Sequence, residues 1–279
     1  MAREKRRTTM TTQTGKGLAV VTGASAGIGA VYADRLAKRE YDLLLVARNG
    51  ERLQALADRL THETGRKVEP FKADLGRKDD LTRLEMRLRE DASITMLVNN
   101  AGIGSVASTL QADVEAMDAM IQLNITALTR LTYAVAPAFV ARGSGTIINI
   151  SSVVGIAVEM LNGVYSASKS YVLSFGHALQ KDLADKGVRV QTVLPGATAT
   201  EFWDVAGYAA QKTSAITMSA ADLVDAALAG LDQGELVTIP GLQDVDDWTR
   251  WEEDRRAMAA KFGNAKPSAR YGLAAANAA

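Results

Sequence analysis

The sequence predicts one doubly wound, Rossmann-type α/β domain on a parallel sheet of about seven strands. Three observations carry that expectation. Short runs of Val, Ile and Leu recur along the chain, nearly continuous, as in parallel strands buried on both faces. Helical patterns separate these runs one by one, the order that βαβ units require. A glycine-rich turn joins the first run to the first helical pattern, and no linker or internal repeat divides the chain beyond it.

Taken in order, the strands are expected at residues 18–21, 43–47, 68–73, 96–99, 146–150, 188–194 and 236–239. The helices between them are expected at 28–39, 51–63, 79–89, 114–141, 164–186 and 220–231. The stretch 114–141 is long enough for two consecutive helices. Asn124 sits near their join, where a weak helix former marks a kink, and Pro137 marks another. Past Pro240 a helix at 245–262 carries Trp248 and Trp251 on one face, and an alanine-rich tail succeeds it. Asp244, Asp246 and Asp247 precede or open that helix and read as caps and dipole partners, not as a metal site. The domain map is therefore a disordered tail at 1–17, a catalytic domain at 18–240 and a helical extension at 241–279.

Composition narrows the function. Hydrophobic residues make up 47% of the 279 and charged residues 23%, which is ordinary for a soluble globular chain. Thirty-two basic and thirty-two acidic residues cancel, so nothing draws the chain toward nucleic acid or a membrane surface. The absence of cysteine excludes disulfides, thiolate zinc sites and thiol nucleophiles, and fits a cytoplasmic location. No apolar run has the length of a membrane span. The basic N-terminal stretch lacks the apolar core of a signal peptide.

The chemistry concentrates between residues 153 and 171. Tyr165 and Lys169 are four residues apart on one expected helix face, so phenol and ammonium point the same way. A nearby cation favours the phenolate and lowers the tyrosine pKa, which makes the pair a proton-transfer device for a hydroxyl or carbonyl. By itself the spacing fits a core-edge tyrosine beside a solvated lysine better than a catalytic pair.

The first strand runs into Gly23-Ala-Ser25-Ala-Gly27-Ile28-Gly29 and then a helix. Such a loop brings backbone close to a phosphate, and the helix N-terminus supplies N–H donors. No Lys-Ser/Thr comes after it, so it is not a P-loop. The same residues spell G-x-S-x-G around Ser25, the context of a hydrolase nucleophile. That reading needs earlier strands and a late histidine. Only a tail precedes the loop, and the only histidines are His62 and His177.

With residues 22–29, the run Asn99-Asn100-Ala101-Gly102, Asn124, Ser152 and Tyr165-Ser-Ala-Ser-Lys169 in this order, the chain resembles the short-chain dehydrogenase/reductase family over about 18–240. The resemblance implies a tetrad of Asn124, Ser152, Tyr165 and Lys169. Ser152, not Ser151, lies at the family spacing of thirteen residues before the tyrosine. It implies that Tyr165 exchanges a proton with the substrate oxygen, that Ser152 hydrogen-bonds that oxygen, and that Lys169 holds the nicotinamide ribose and depresses the tyrosine pKa. Asn124 would anchor a water leading to Lys169. Cofactor contacts are implied for Gly23, Ser25, Gly27, Ile28 and Gly29, for Asp74 and Leu75 at the adenine, and for Asn100, Ala101 and Gly102 at the ribose. Pro195, Gly196, Thr198 and Thr200 would cover the carboxamide. Arg48, where an acidic residue would select NAD, favours NADP through the 2′-phosphate. Substrate selection is expected in residues 153–164 and 201–213, which Met160, Leu161, Phe202 and Trp203 make apolar, so the expected partner is a small-molecule apolar ketone or alcohol of moderate size. Family members assemble as dimers and tetramers, and the apolar outer faces of residues 125–141 and 164–183 fit that. A protein that binds NADP as a sensor without turnover is the alternative in a different class.

Overall fold

The structure is a computed structural model that describes residues 15–273. The basic N-terminal stretch and the final alanines, expected as tails, lie outside the described residues. By contacts the described residues form two compact units that divide after Gly241.

In the first unit seven strands form one parallel sheet. They are β1 (Leu18–Thr22), β2 (Asp42–Ala47), β3 (Val68–Lys72), β4 (Ile94–Asn99), β5 (Gly145–Ile150), β6 (Val188–Val193) and β9 (Val237–Thr238), in the order β3-β2-β1-β4-β5-β6-β9. The chain works outward from β1 to β3, then returns to lay β4 on the other side of β1. That reversal opens a crevice at the carboxyl ends of β1 and β4, where open α/β sheets bind ligands.

Strand alternation feeds two cores. Ala19, Val21, Leu43, Leu45, Met96 and Val98 face one side; Val20, Leu44, Val46, Leu97 and Ile147 face the other. Both sets are fully buried or nearly so, and each Val, Leu, Ile or Met among them contributes about 1.5–3 kcal/mol. Helices α1 (Gly27–Lys38), α2 (Gly50–Thr64) and α8 (Ala220–Asp232) cover the first face. Helices α3 (Lys78–Glu90), α5 (Leu128–Arg142) and α6 (Gly163–Leu183) cover the second. Pro70, with no N–H to give a neighbour, lies in β3 at the sheet edge, where that loss is tolerated.

The structure bears out one detail of the sequence expectation, the two helices that join at Asn124, and departs from it at two others. The long helical stretch is α4 (Val114–Ile121), a six-residue π-helical turn over Gln122–Ala127, and α5. Asn124 thus sits in a wide turn, and Pro137 lies inside α5 without ending it. The last strand of the sheet is only two residues long. Between β6 and α8 lies a small parallel pair, β7 (Thr198–Ala199) with β8 (Met218–Ser219), and a one-turn helix α7 (Phe202–Val205).

The second unit holds α9 (Val245–Ala259). Asp244 caps it by accepting from the Asp246 N–H, and Trp248 stacks on Trp251 with ring centres 4.9 Å apart.

Candidate active site

The crevice is built from strand ends. Thr22, the last residue of β1, donates through Oγ1 to the Val98 carbonyl and accepts from the Asn100 and Ala101 N–H groups. Asn100 returns its side-chain amide to the carbonyls of Thr22 and Gly23. These bonds staple β1 to β4 at the point of reversal. The sequence marks Thr22 only as the first residue of the motif at 22–29 and gives it no role of its own; its signal is a hydroxyl ending an otherwise apolar strand.

The glycines then have defined work. Gly27 has φ +55°, and a Cβ there would lie 3.1 Å from Thr200 Cγ2. A Cβ on Gly29 would come within 2.3 Å of the Gly23 carbonyl oxygen, so only glycine lets α1 start this close to the turn. No side chain caps α1, and Gly27 and Ile28 line the cavity, leaving its first N–H groups for a ligand. A bare helix N-terminus over a glycine turn is suited to a pyrophosphate. The residues present fit a dinucleotide.

A cavity of about 470 Å³ runs from Arg48 past this turn and Asn100–Gly102 to Ser152, Tyr165 and Lys169. Pro195, Gly196, Thr198 and Thr200 form its opposite wall. The far end is apolar, with Val153, Met160, Leu161, Phe202 and Ile216.

Tyr165 and Lys169 share one face of α6 and both are buried, although both reach the cavity. The ammonium lies 5.7 Å from the centre of the tyrosine ring and donates to the Ile150 carbonyl at 2.9 Å. Burial brings its pKa down to about 8. Burial likewise holds the Tyr165 phenol above the usual range, with the Ser152 hydroxyl pulling the other way. The expectation that Lys169 depresses the tyrosine pKa is therefore corrected here. Desolvation dominates, and the ammonium is engaged by a carbonyl.

The two serines separate cleanly. Ser152 donates to the Pro195 carbonyl at 3.2 Å and keeps its hydroxyl by Tyr165, whereas Ser151 turns away to the Lys169 carbonyl at 2.7 Å. Asn124, in the π turn, accepts from the Ile103 N–H at 3.0 Å and donates to the Ile103 carbonyl at 2.9 Å and to Ser168 Oγ at 3.1 Å. Its side chain is spent on holding residue 103. A Cβ on Gly102 would lie 3.1 Å from Asn124 Oδ1 and 3.7 Å from Lys169 Nζ, so the three residues meet.

Other expected contacts are not brought together. Asp74 turns its carboxylate to the Gly76 N–H at 3.0 Å, and Leu75 is buried in the core. Neither lines the cavity, nor does Ser25. Thr198 gives its hydroxyl to the Gly196 carbonyl, and Thr200 accepts from the Phe202 N–H. Trp203 reaches the cavity, but its indole N–H is held by the Thr198 carbonyl at 2.9 Å, which fixes the segment. Phe202 tilts against Tyr165 with ring centres 5.6 Å apart. Val205, Tyr208 and Gln211, inside the segment 201–213 expected to select substrate though not singled out there, also line the cavity, as does Ile216, which lies beyond that segment.

Comparison with known proteins agrees with this geometry. The profile of a family described as short chain dehydrogenase matches residues 17–210. A short-chain dehydrogenase from Sphingobium yanoikuyae, solved in complex with NADPH, is 47% identical with a TM-score of 0.89, covering 91% of this chain and 100% of that one. A bulky-bulky ketone specific alcohol dehydrogenase from Comamonas testosteroni is 41% identical with a TM-score of 0.86, covering 92% and 99%. An uncharacterized oxidoreductase of Staphylococcus saprophyticus is 36% identical over 223 residues, 80% of this chain and 94% of that protein.

Proposed function

This chain belongs to the short-chain dehydrogenase/reductase family, and we propose that it is an NADP(H)-dependent oxidoreductase interconverting a bulky apolar ketone and its secondary alcohol. The observation that carries the reading is the meeting of Ser152, Tyr165 and Lys169 on one wall of a cavity that has a glycine cradle at one end and an apolar chamber at the other. The NADPH complex of the Sphingobium protein supports the cofactor, and Arg48 at the cavity supplies a cation for the 2′-phosphate.

When bound, the nicotinamide supplies or accepts the hydride. The residues of the chain do the rest. Tyr165, kept protonated by burial, gives its proton to the developing alkoxide in reduction and recovers it in oxidation. Ser152 holds the substrate oxygen beside the phenol and stabilises the charge that gathers there. Lys169, charged below pH about 8 and held by the Ile150 carbonyl, would hold the ribose hydroxyls. Asn124 holds the strand-end backbone at Ile103, next to Gly102 and Lys169.

An apolar lining sets the substrate. Val153, Met160 and Leu161 from the segment after β5 and Phe202, Val205 and Ile216 from the segment after β6 line the chamber, so the substituents of a ketone would meet hydrocarbon. The name of the Comamonas enzyme points the same way. The test is cofactor oxidation over a panel of ketones of graded size, with NADPH and NADH. Bulky diaryl and alkyl-aryl ketones with NADPH are expected to turn over fastest. Equal use of NADH, or turnover of no ketone, overturns the proposal.

A further inference from the structure

Four consecutive residues after β7 each fasten the chain to a different point in or beside the cavity. Thr200 packs over the glycine turn, close enough that a Cβ on Gly27 would lie 3.1 Å from its methyl group. Glu201 accepts from Arg52, in the first turn of α2, with Nη1 and Oε2 2.7 Å apart. Phe202 lies on Tyr165 and fills the space over Gly104, where a Cβ would meet its ring at 2.3 Å. Trp203 anchors the turn through the Thr198 carbonyl. The chain at 200–203 is thus a strap, with the glycine cradle beneath one end and the tyrosine beneath the other.

The Arg52–Glu201 pair joins the corner after β2 to this strap. Arg48 and Glu201 line the cavity and Arg52 does not, so the pair ties the corner that carries Arg48 to the strap at the cavity's edge. Both side chains are about half exposed, 51% for Arg52 and 57% for Glu201. An ion pair so exposed is weak and screened by salt, which is the character of a closure that opens at each turnover.

We propose that Arg52 and Glu201 form a clasp over the bound dinucleotide: the pair parts for the cofactor to enter or leave, and its closing seats Phe202 on Tyr165. The clasp deepens the NADP(H) reading and rests on it. Arg52 and Glu201 are positioning residues, acting through the strap and not on the reacting atoms.

The sign of one substitution tests this. Glu201 is an anion lining a cavity meant for phosphates, so simple repulsion predicts that Glu201→Gln slows NADPH release. If Arg52 served the 2′-phosphate directly, freeing it from Glu201 would slow release as well. A clasp predicts the reverse. Release of NADPH is followed by stopped-flow fluorescence on the full chain with no ketone present, by displacement with excess NADP⁺. We expect Glu201→Gln to release NADPH roughly three- to tenfold faster, the size an exposed ion pair supports. The double variant Arg52→Glu/Glu201→Arg should return to within about twofold of the parent. Raising salt should speed release from the parent more than from Glu201→Gln, where only the contacts to the phosphates are left to screen. Unchanged or slower release from Glu201→Gln, or a charge-swapped variant as fast as the single one, overturns the clasp while the cofactor assignment stands. A parent chain that does not bind NADPH overturns both.

Discussion

Lys169 sets function against stability. Its ammonium is buried against the Ile150 carbonyl, and its pKa falls from 10.5 to about 8. A depression of that size corresponds to about 3 kcal/mol of differential interaction. Between pH 8 and 10.5 the unfolded chain binds the proton that the folded chain has released. This group therefore makes stability rise with pH across that window, and at neutral pH it weakens the fold. Lys169→Met should gain about 1–3 kcal/mol at pH 7 by urea unfolding, with the gain shrinking toward pH 10. A variant no more stable than the parent at pH 7 would contradict this account. The tetrad residues were legible in the sequence because chemistry fixes their spacing: Tyr165 and Lys169 are one helical turn apart, and Ser152 ends the strand facing them. Asp74 and Leu75 were not. They come after a strand end, and which way such side chains turn is decided by neighbours such as the Gly76 N–H and the core under α3.

At the scale of elements, the strands and the helices packed on them were readable because burial on two faces demands continuous apolar runs. The π turn at Gln122–Ala127 was visible only as a weak helix former in a long helix. Its form comes from Asn124 reaching the backbone of residue 103, a contact 21 residues away in sequence. The strap at 200–203 and the β7–β8 pair carried no periodic signal. They are held by single contacts between side chains and their neighbours, Glu201 to Arg52 and Trp203 to Thr198 among them. The glycine turn is the opposite case, since the close approach of Gly29 to the Gly23 carbonyl excludes a side chain outright. Gly29→Ala should lower stability by about 1–3 kcal/mol, the usual penalty for overpacking, and weaken NADPH binding. A thermal melt and a fluorescence titration check the two effects. An unchanged melting temperature would mean that the start of α1 can shift away from the turn, contrary to the packing at Gly23.

For the whole molecule, motifs far apart in sequence meet because the chain reverses between β3 and β4. Thr22 and Asn100 bind the two strands on either side of that reversal. The crevice beyond them receives Ser152 from the end of β5 and Tyr165 and Lys169 from α6, while the segment after β6 closes the opposite wall. Family and sheet could be read from five ordered motifs, but the shape of the chamber could not, because its far wall is the aperiodic stretch from Phe202 to Ile216. The chemistry converges on the phenol. Tyr165→Phe removes one oxygen and keeps the ring against Phe202. General acid–base catalysis contributes about 10²–10⁴-fold, so kcat for ketone reduction should fall by at least about 10², with NADPH affinity and melting temperature unchanged. A Tyr165→Phe enzyme that reduces the same ketone at the parent rate would contradict the mechanism.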